Sequence, residues 1–369
     1  MAGIYIHFPY CRSKCGYCDF FSLPAASDES INGFIRGLYR EMTIVRAAVP
    51  GFPAVETVYF GGGTPSLMSS GQVGRILDAL NRAFSIDANA EITLEINPGT
   101  VTAGKLKAFR RLGISRVSIG IQSLDDRLLR KLGRGHTAAE AVRTVQMAGR
   151  AGFLNTGIDL IYGIPGQSFP VWLGTLDEAV RLTPVHISAY VLSWNQKTAV
   201  GQKIESGRWR APDEDRIADM YLRTSDRLQS AGYEHYEISN FARSGYRCRH
   251  NEGYWNGTPY LGFGPSAHSY YNHMRSWNVQ DMSRYIRMTD QGSRPLAGAE
   301  VIGPDQRDTE YLALGLRCSD GIRIQRLNPL QQKRVSDLDK QFIRIWNDRL
   351  SLTPAGYLVA DEVALRLMA

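Results

Sequence analysis

The chain has 369 residues, 43% of them hydrophobic and 21% charged, with a formal net charge of +7. Such a chain is long enough for two domains, or for one large α/β domain with an appendage. It has no run of about 18 apolar residues, so no transmembrane helix is expected. No basic, apolar and small-residue succession marks a secretory leader either. Five cysteines, an odd number with three close together, argue against a disulfide framework and for a reducing compartment, so the cytoplasm is the expected location. The positive balance suggests affinity for anions, yet no dense Lys/Arg block marks a nucleic-acid surface, and no direct nucleic-acid partner is expected.

Residues 4–8 (Ile-Tyr-Ile-His-Phe) read as a first strand. Behind them Cys11, Cys15 and Cys18 fall on a stretch where Pro9, Lys14 and Gly16 break regular structure, which places the thiols on a loop. Thiolates are soft ligands that select zinc, copper(I) or iron–sulfur clusters. A structural zinc wants four protein ligands and only three cysteines are local, so three thiolates suit a cubane cluster with one iron left open. A zinc site completed by a distant Cys or His, and three unconnected thiols, stay open at this point.

Residues 29–48 carry Phe34, Leu38, Met42 and Val45 at helical spacing, with Asp28 placed to cap the start. A second strand over 55–60 runs into Gly61-Gly62-Gly63-Thr64-Pro65-Ser66, where the backbone can approach a ligand with no Cβ in the way; a tight turn would use the same glycines. The pattern then predicts a helix over 72–84 and a strand over 91–96 closed by Asn97-Pro98-Gly99. A helix over 103–112, a strand over 116–121 and helices over 126–132 and 138–151 follow. A strand over 156–162, a helix over 172–182 and a sixth strand over 186–192 complete the alternation. Six strands alternating with helices imply a parallel sheet with right-handed crossovers. Polar and glycine-rich residues recur at the strands' C-terminal ends, where parallel α/β folds place ligands. Asp159 sits inside an apolar strand and needs a cationic or hydrogen-bonding partner, with Arg134 as a candidate. Beyond about residue 200 the alternation lapses. A helix over 213–231 and a strand over 236–241 lead into a Gly/Tyr/Trp/His-rich stretch reaching 278. After 303 the texture is helical and basic, with 351–357 a turn before a final helix.

The spacing Cys-x3-Cys-x2-Cys after a first strand resembles the radical S-adenosylmethionine enzymes. The resemblance implies an α/β fold: a partial (β/α)6 barrel over 1–200, an extension with a haem-binding segment over 201–300, and a small, mostly helical, winged-helix-like C-terminal domain over 301–369. It implies that Cys11, Cys15 and Cys18 hold three irons of a [4Fe–4S] cluster while the methionyl amino and carboxylate groups of S-adenosylmethionine bind the fourth. One electron then cleaves the sulfonium, giving methionine and a 5′-deoxyadenosyl radical; cofactor and cluster carry the hard chemistry. Gly62, Gly63 and Thr64 match the family's segment for the methionine amino group. Tyr5, Tyr17, Glu95, Gln122, Arg134 and Asp159 fall, in order, at cofactor-contacting places, Glu95 facing the ribose hydroxyls.

Ile-His-Phe-Pro-Tyr-Cys, Phe-Gly-Gly-Gly-Thr-Pro-Ser and Asp-Leu-Ile-Tyr-Gly-Ile-Pro-Gly-Gln together resemble one branch over nearly the whole chain. It holds oxygen-independent coproporphyrinogen III oxidase and the HemW-type haem chaperones. Phe20 stands where the oxidase carries an extra cysteine, and the oxidase's N-terminal extension has no counterpart before the first strand. The chaperones carry His-Asn-x-x-Tyr-Trp, and this chain reads His250-Asn251-Glu252-Gly253-Tyr254-Trp255. Imidazole is a common axial ligand of haem iron, so the resemblance implies haem on His250, with Tyr254 and Trp255 against the porphyrin. Arg243, Arg247 and Arg249 are close enough in sequence to meet propionates. Cys248 is expected to be a buried structural thiol, while His268, in the similar stretch 262–268, has no assigned role. Asn195-Gln196-Lys197-Thr198 departs from the Glu-Pro that the family often carries before a Thr. The expected function is a haem chaperone that passes haem to acceptor proteins, respiratory and membrane-associated ones included, with a one-electron donor for the cluster. A radical oxidoreductase decarboxylating coproporphyrinogen III is the alternative, and radical modification of RNA a more distant third.

Overall fold

Side chains that alternate along a strand must face two different environments, and here both faces are enclosed. The computed structural model describes residues 2–24 and 27–368. Strands β1 (Gly3–Phe8), β2 (Val55–Gly62), β3 (Ile86–Ile96), β4 (Arg116–Gln122), β5 (Asn155–Tyr162) and β6 (His186–Val191) lie side by side in chain order, all parallel. Between them run α1 (Asp28–Ala48), α2 (Ser70–Ala83), α3 (Ala103–Arg111), α4 (Asp126–Leu132), α5 (Ala138–Arg150) and α6 (Phe169–Arg181). Ile4, Ile6, Phe8, Val58, Phe60, Leu94, Ile119, Ile158 and Leu160 are buried in the apolar core. The alternate positions Tyr59, Glu95, Ser118, Asp159 and Ser188 line a cavity. Helix α1 buries Ile31, Phe34, Ile35, Leu38, Met42 and Val45 along one stripe, each worth about 1.5–3 kcal/mol when fully buried.

The expected elements are present with shifted ends. β2 continues through Gly62, and β3 begins at Ile86, before the expected start. Ser27, not Asp28, caps α1, accepting from the Ser30 amide; Asp28 already has helical backbone and adds its charge to the first turn instead.

After α7 (Ala199–Glu205) and α8 (Glu214–Ser230), the single strand expected over 236–241 is a hairpin, β7 (Glu234–Glu237) and β8 (Asn240–Ala242). Ile238 and Ser239 make its turn, and the Ser239 amide donates to Glu237 Oε1 at 3.1 Å. Next come α9 (Arg249–Trp255), β9 (Tyr260–Phe263), β10 (His268–Tyr271), β11 (Met274–Asn278), α10 (Met282–Asp290) and β12 (Leu296–Val301). β9 pairs parallel with the free side of β1, and β10, β11 and β12 continue antiparallel. At the opposite edge β8 and β7 extend β6. The result is one twelve-stranded sheet, to which the segment after residue 200 contributes at both edges.

The C-terminal part comprises α11 (Pro304–Gly315), β13 (Ile322–Arg323), α12 (Pro329–Val335), β14 (Ile343–Trp346), β15 (Arg349–Leu352), α13 (Pro354–Tyr357) and α14 (Ala360–Met368). Its helical texture hides three short strands, ordered β13-β15-β14, whose hairpin turn uses positive φ at Asn347 and Asp348. It covers the β7 edge, where Glu237 bridges to Cys318 and the His235 ring meets Tyr357 at 5.1 Å. Among the described residues no helix is long and apolar enough to cross a membrane.

Candidate functional site

The cysteine loop is tied at its neck. Tyr10 and Cys11 pair with Leu23 and Pro24, and the Leu23 amide donates to Pro9 O at 2.7 Å. The loop docks by Gly16 N to Leu132 O (2.9 Å) at the end of α4, and Val200 N of α7 donates to Gly16 O (2.8 Å). Asn195, in the stretch that departs from the branch pattern, donates to Asp19 Oδ2 at 2.8 Å and so braces the same loop. All three thiols line a cavity of about 490 Å³ at the C-terminal ends of the parallel strands. Thr64 Oγ1 donates to Cys11 Sγ and Arg134 Nη1 to Cys15 Sγ, each at 3.5 Å. Burial pushes the Cys18 thiol up. Among the described residues no three Cys, His, Asp or Glu side chains are gathered closely enough for a single metal ion; the thiols share a rim.

The glycines of the second strand end are required by space. Gly62 has φ +100°, and a Cβ there would stand 2.8 Å from the His7 ring; at Gly63 it would stand 2.6 Å from Tyr10 O. The bare backbone lets Gly63 N donate to Phe8 O (2.7 Å) and Thr64 N to Tyr10 O (2.8 Å), pressing β2 onto the cysteine loop. Gly62, Gly63 and Thr64 all line the cavity.

A polar chain crosses the mouth. Asn97 Nδ2 donates to Thr64 Oγ1 at 2.9 Å. Arg134 Nη2 donates to Asn97 Oδ1 and to Gly120 O, both at 2.6 Å, and Arg134 also meets the hydroxyl of the half-buried Tyr17. Gln122 ends β4 with φ +64°, an uncommon conformation for this residue type, and lines the cavity. Deeper, Glu95 accepts from Tyr59 Oη at 3.0 Å. Burial, reinforced by Asp159, pushes its carboxyl up to about 8. Asp159 accepts from Ser118 Oγ at 3.1 Å and from Ser188, and burial raises it as well. Its partners are therefore serines; Arg134, the cation expected from sequence, acts on it only through space.

Two expected site residues are placed elsewhere. Tyr5 lies behind Tyr59, with its hydroxyl 3.2 Å from His7 Nδ1 and its ring stacked on Tyr59 at 6.2 Å, and it is absent from the cavity wall. His250 is the larger correction. Helix α9 fills the N-terminal end of the barrel, and His250 is buried there, 4% exposed. Nδ1 meets Thr57 Oγ1 at 2.8 Å and Nε2 meets Tyr254 Oη at 2.9 Å, so both ring nitrogens are occupied. Burial lowers its pKa to about 3, which keeps the imidazole neutral. The recess beside it holds about 10 Å³, scarcely the space of one water. An axial ligand needs a free nitrogen and room for a porphyrin, and this packing provides neither.

Nor do the neighbouring arginines converge. Arg249 pairs with Glu56, Arg247 with Glu234, Glu252 and Asp320, and Arg243 lies over the Tyr233 ring. Trp255 hydrogen-bonds Glu237. Cys248 is buried, as expected, with its thiol pushed up to about 12 and directed at Glu91. His268 is exposed and stacks on Trp277. Of the six-residue motif, Asn251 alone reaches the main cavity.

Sequence reasoning missed Tyr59, Arg116, Ser188 and Tyr190 in that wall, while Asn97, one of the polar residues at the strand ends, lines it as expected. The signal was available: Glu91, Thr93, Glu95 and Asn97 alternate along β3, and Arg116, Ser118, Gly120 and Gln122 along β4. Polar residues at every second position of strands otherwise apolar mark an inner face.

With the geometry in place, the comparisons are direct. The Radical SAM superfamily model matches residues 5–179. The chain is 36% identical over 369 residues to heme chaperone HemW of Mycobacterium tuberculosis, covering 99% of this chain and 94% of that one. It is 35% identical over 396 residues to radical S-adenosyl methionine domain-containing protein 1, mitochondrial, of Bos taurus, covering 100% and 87%. Among solved structures, coproporphyrinogen III oxidase (HemN) from Escherichia coli, a radical SAM enzyme, superposes with a TM-score of 0.84 at 22% identity, over 99% and 89% of the two chains. At that identity the likeness is one of fold.

Proposed function

The chain belongs to the radical S-adenosylmethionine superfamily, in its HemW haem-chaperone branch, and from that premise we propose that it binds haem and passes it to acceptor proteins while carrying a [4Fe–4S] cluster and S-adenosylmethionine at the barrel mouth. The observation that carries this reading is one cavity lined by Cys11, Cys15, Cys18, Gly62, Gly63, Thr64, Glu95, Gln122, Arg134 and Asp159.

The residues fit those groups. Three soft donors share one rim, the glycines leave a cradle that a Cβ would fill, and the buried Arg134 Nε is without a partner among the described residues. Cys11, Cys15 and Cys18 would hold the cluster, and Gly62, Gly63, Thr64, Tyr17, Glu95, Gln122, Arg134 and Asp159 the cofactor. When bound, cluster and cofactor supply one-electron cleavage of a sulfonium bond. Arg134 and Thr64 direct hydrogen bonds at the Cys15 and Cys11 sulfurs, and Glu95, protonated near neutrality, offers a site for sugar hydroxyls. A one-electron donor would approach the exposed side of the loop at Ser13 and Lys14. The acceptors would be cytoplasmic or membrane-associated haem proteins.

Phe20 is 67% exposed on the cavity rim and cannot ligate a metal, which favours the chaperone over the oxidase. His250 would become a haem ligand only if α9 withdrew from the barrel. The test is haem titration of anaerobically reconstituted protein, followed by transfer to a haem-free acceptor and a coproporphyrinogen assay. Haem binding and transfer without protoporphyrinogen formation are expected; robust decarboxylation would move the assignment to the oxidase.

A further inference from the structure

Imidazole is a common axial ligand of haem iron, and the chain has seven histidines. His7, His136, His186, His235 and His250 are all buried, and each has a ring nitrogen held by a neighbour. An iron arriving from outside reaches none of them without opening the fold. The two that remain, His268 and His273, are exposed, and both belong to the hairpin of β10 and β11.

Their surroundings differ. His273 stands in the hairpin turn at φ +59°, and among the described residues no aromatic ring packs on it. His268 pairs across the hairpin with Trp277, and the two rings stack at 6.1 Å with planes 26° apart. Cross-strand partners share a face of the sheet, as do residues two apart along a strand. Tyr270 follows His268 by two residues and pairs with Tyr260 of β9, so these four rings make one strip. The Trp277 indole lies over Gly298 of β12, where a Cβ would collide with it. Stacking fixes the plane of the His268 imidazole, yet among the described residues neither ring nitrogen has a hydrogen-bond partner. Arg275, on the same face, is engaged by Glu300 and Glu310, so its guanidinium is not free for a propionate. We infer that His268 is the axial ligand that holds haem on the open face of this hairpin, with Trp277, Tyr270 and Tyr260 as its aromatic support. The inference rests on the chaperone reading and names the ligand which that reading requires. The site lies outside the cavity of the cysteines, and an exposed ligand suits a cargo that must pass to another protein.

The experiment uses the full chain, reconstituted with its cluster under anaerobic conditions, titrated with ferric haem and separately with iron-free protoporphyrin IX. Wild type should bind haem with the Soret position of a histidine ligand. His268→Ala should weaken haem by at least about tenfold, since losing even a residue that only supports a metal ligand costs that much. Added imidazole should restore the Soret position in that variant. Protoporphyrin has no iron to ligate, so its binding should be unchanged in His268→Ala and weakened in Trp277→Ala. His273→Ala and His250→Phe should bind haem as wild type does. Haem affinity and spectrum unchanged in His268→Ala, or lost in His250→Phe alone, overturn the inference. Equal loss of haem and protoporphyrin in His268→Ala, with no rescue by imidazole, overturns it as well, because the ring would then be structural. Failure of haem to bind wild type sinks the chaperone reading itself, and no variant is needed to see it.

Discussion

The mouth and the floor of this barrel are built from equally distinctive sequence, and they do opposite things. At the mouth, Cys11, Cys15, Cys18, Gly62 and Arg134 face a shared cavity with valences to spare. At the floor, His250, Thr57, Tyr254, Cys248 and Glu91 are satisfied by one another. A motif therefore marks a constraint, and whether that constraint is chemical or architectural shows only in what the side chains have left over.

The largest effect that sharpens this contrast is on iron. Replacing any of Cys11, Cys15 or Cys18 by Ala should abolish cluster assembly, whereas Cys248→Ala should leave the content at about four iron and four sulfide per chain. Iron and sulfide analysis after anaerobic reconstitution decides it; iron lost in Cys248→Ala and kept in Cys15→Ala would reverse the two regions. Glycine offers the next largest. Gly63→Ala places a Cβ 2.6 Å from Tyr10 O and should cost about 1–3 kcal/mol through overpacking, with the cluster loop displaced. Gly253→Ala, in α9, meets Thr258 at no less than 3.4 Å and should be tolerated; urea unfolding of the two variants makes the comparison.

His250→Phe should lower stability by about 1–3 kcal/mol, because Thr57 and Tyr254 lose their buried partner. Under the same conditions the reduced cluster's EPR response to S-adenosylmethionine should be that of wild type. A changed response would mean that the floor reaches the chemistry after all.

The smallest effect is in pH. The folded pKa of His250 is lowered to about 3 and those of His136 and His235 to about 4. Below the ordinary value near 6.5 the unfolded chain binds protons that the folded chain refuses, so these histidines make stability fall as pH drops from about 6.5 toward 4. Glu95 is raised to about 8, and Glu41 and Glu237 to about 7. Their folded forms hold protons the unfolded chain releases, so this contribution is full below about 4.5 and lost as pH rises to 8. Stability should peak between about pH 4.5 and 6.5. His250→Phe should flatten the acid limb and Glu95→Gln the alkaline one, read as urea midpoints across pH.

The barrel and the rim were legible in the sequence because both rest on local signals: period-two strands, helical stripes, cysteine spacing and glycine runs. All six parallel strands follow from those, whereas Tyr17, Gly62, Gly63, Thr64, Glu95, Gln122, Arg134 and Asp159 were singled out by the resemblance to the radical S-adenosylmethionine enzymes, and all of them line the cavity. What was hidden depends on packing between distant segments. Nothing near residue 250 announces that α9 will occupy the barrel, because the contacts that hold it, Thr57 and Glu91, lie far away in the chain. Tyr5 was misplaced for a related reason: its strand position faces inward, but α9 and Tyr59 stand between it and the cavity. The C-terminal strands are two to four residues long, too short for their period to stand out from helical surroundings.

The pairing of β1 has a timing. Gly3 bonds across to the Thr57 strand on one side and to the Tyr260 strand on the other. During synthesis at about 5–20 residues per second, the second neighbour emerges roughly 10–50 s after the strand itself. The plug α9 arrives just before it. Closing so long a loop is entropically slow compared with the local pairings of β1 to β6. The nascent chain therefore passes through a stage in which the three thiols are already on their loop while the barrel stands open at its base and along one side. Sealing the floor is the late step, and a polypeptide that ends before residue 249 would carry the cysteines without ever enclosing the space beneath them.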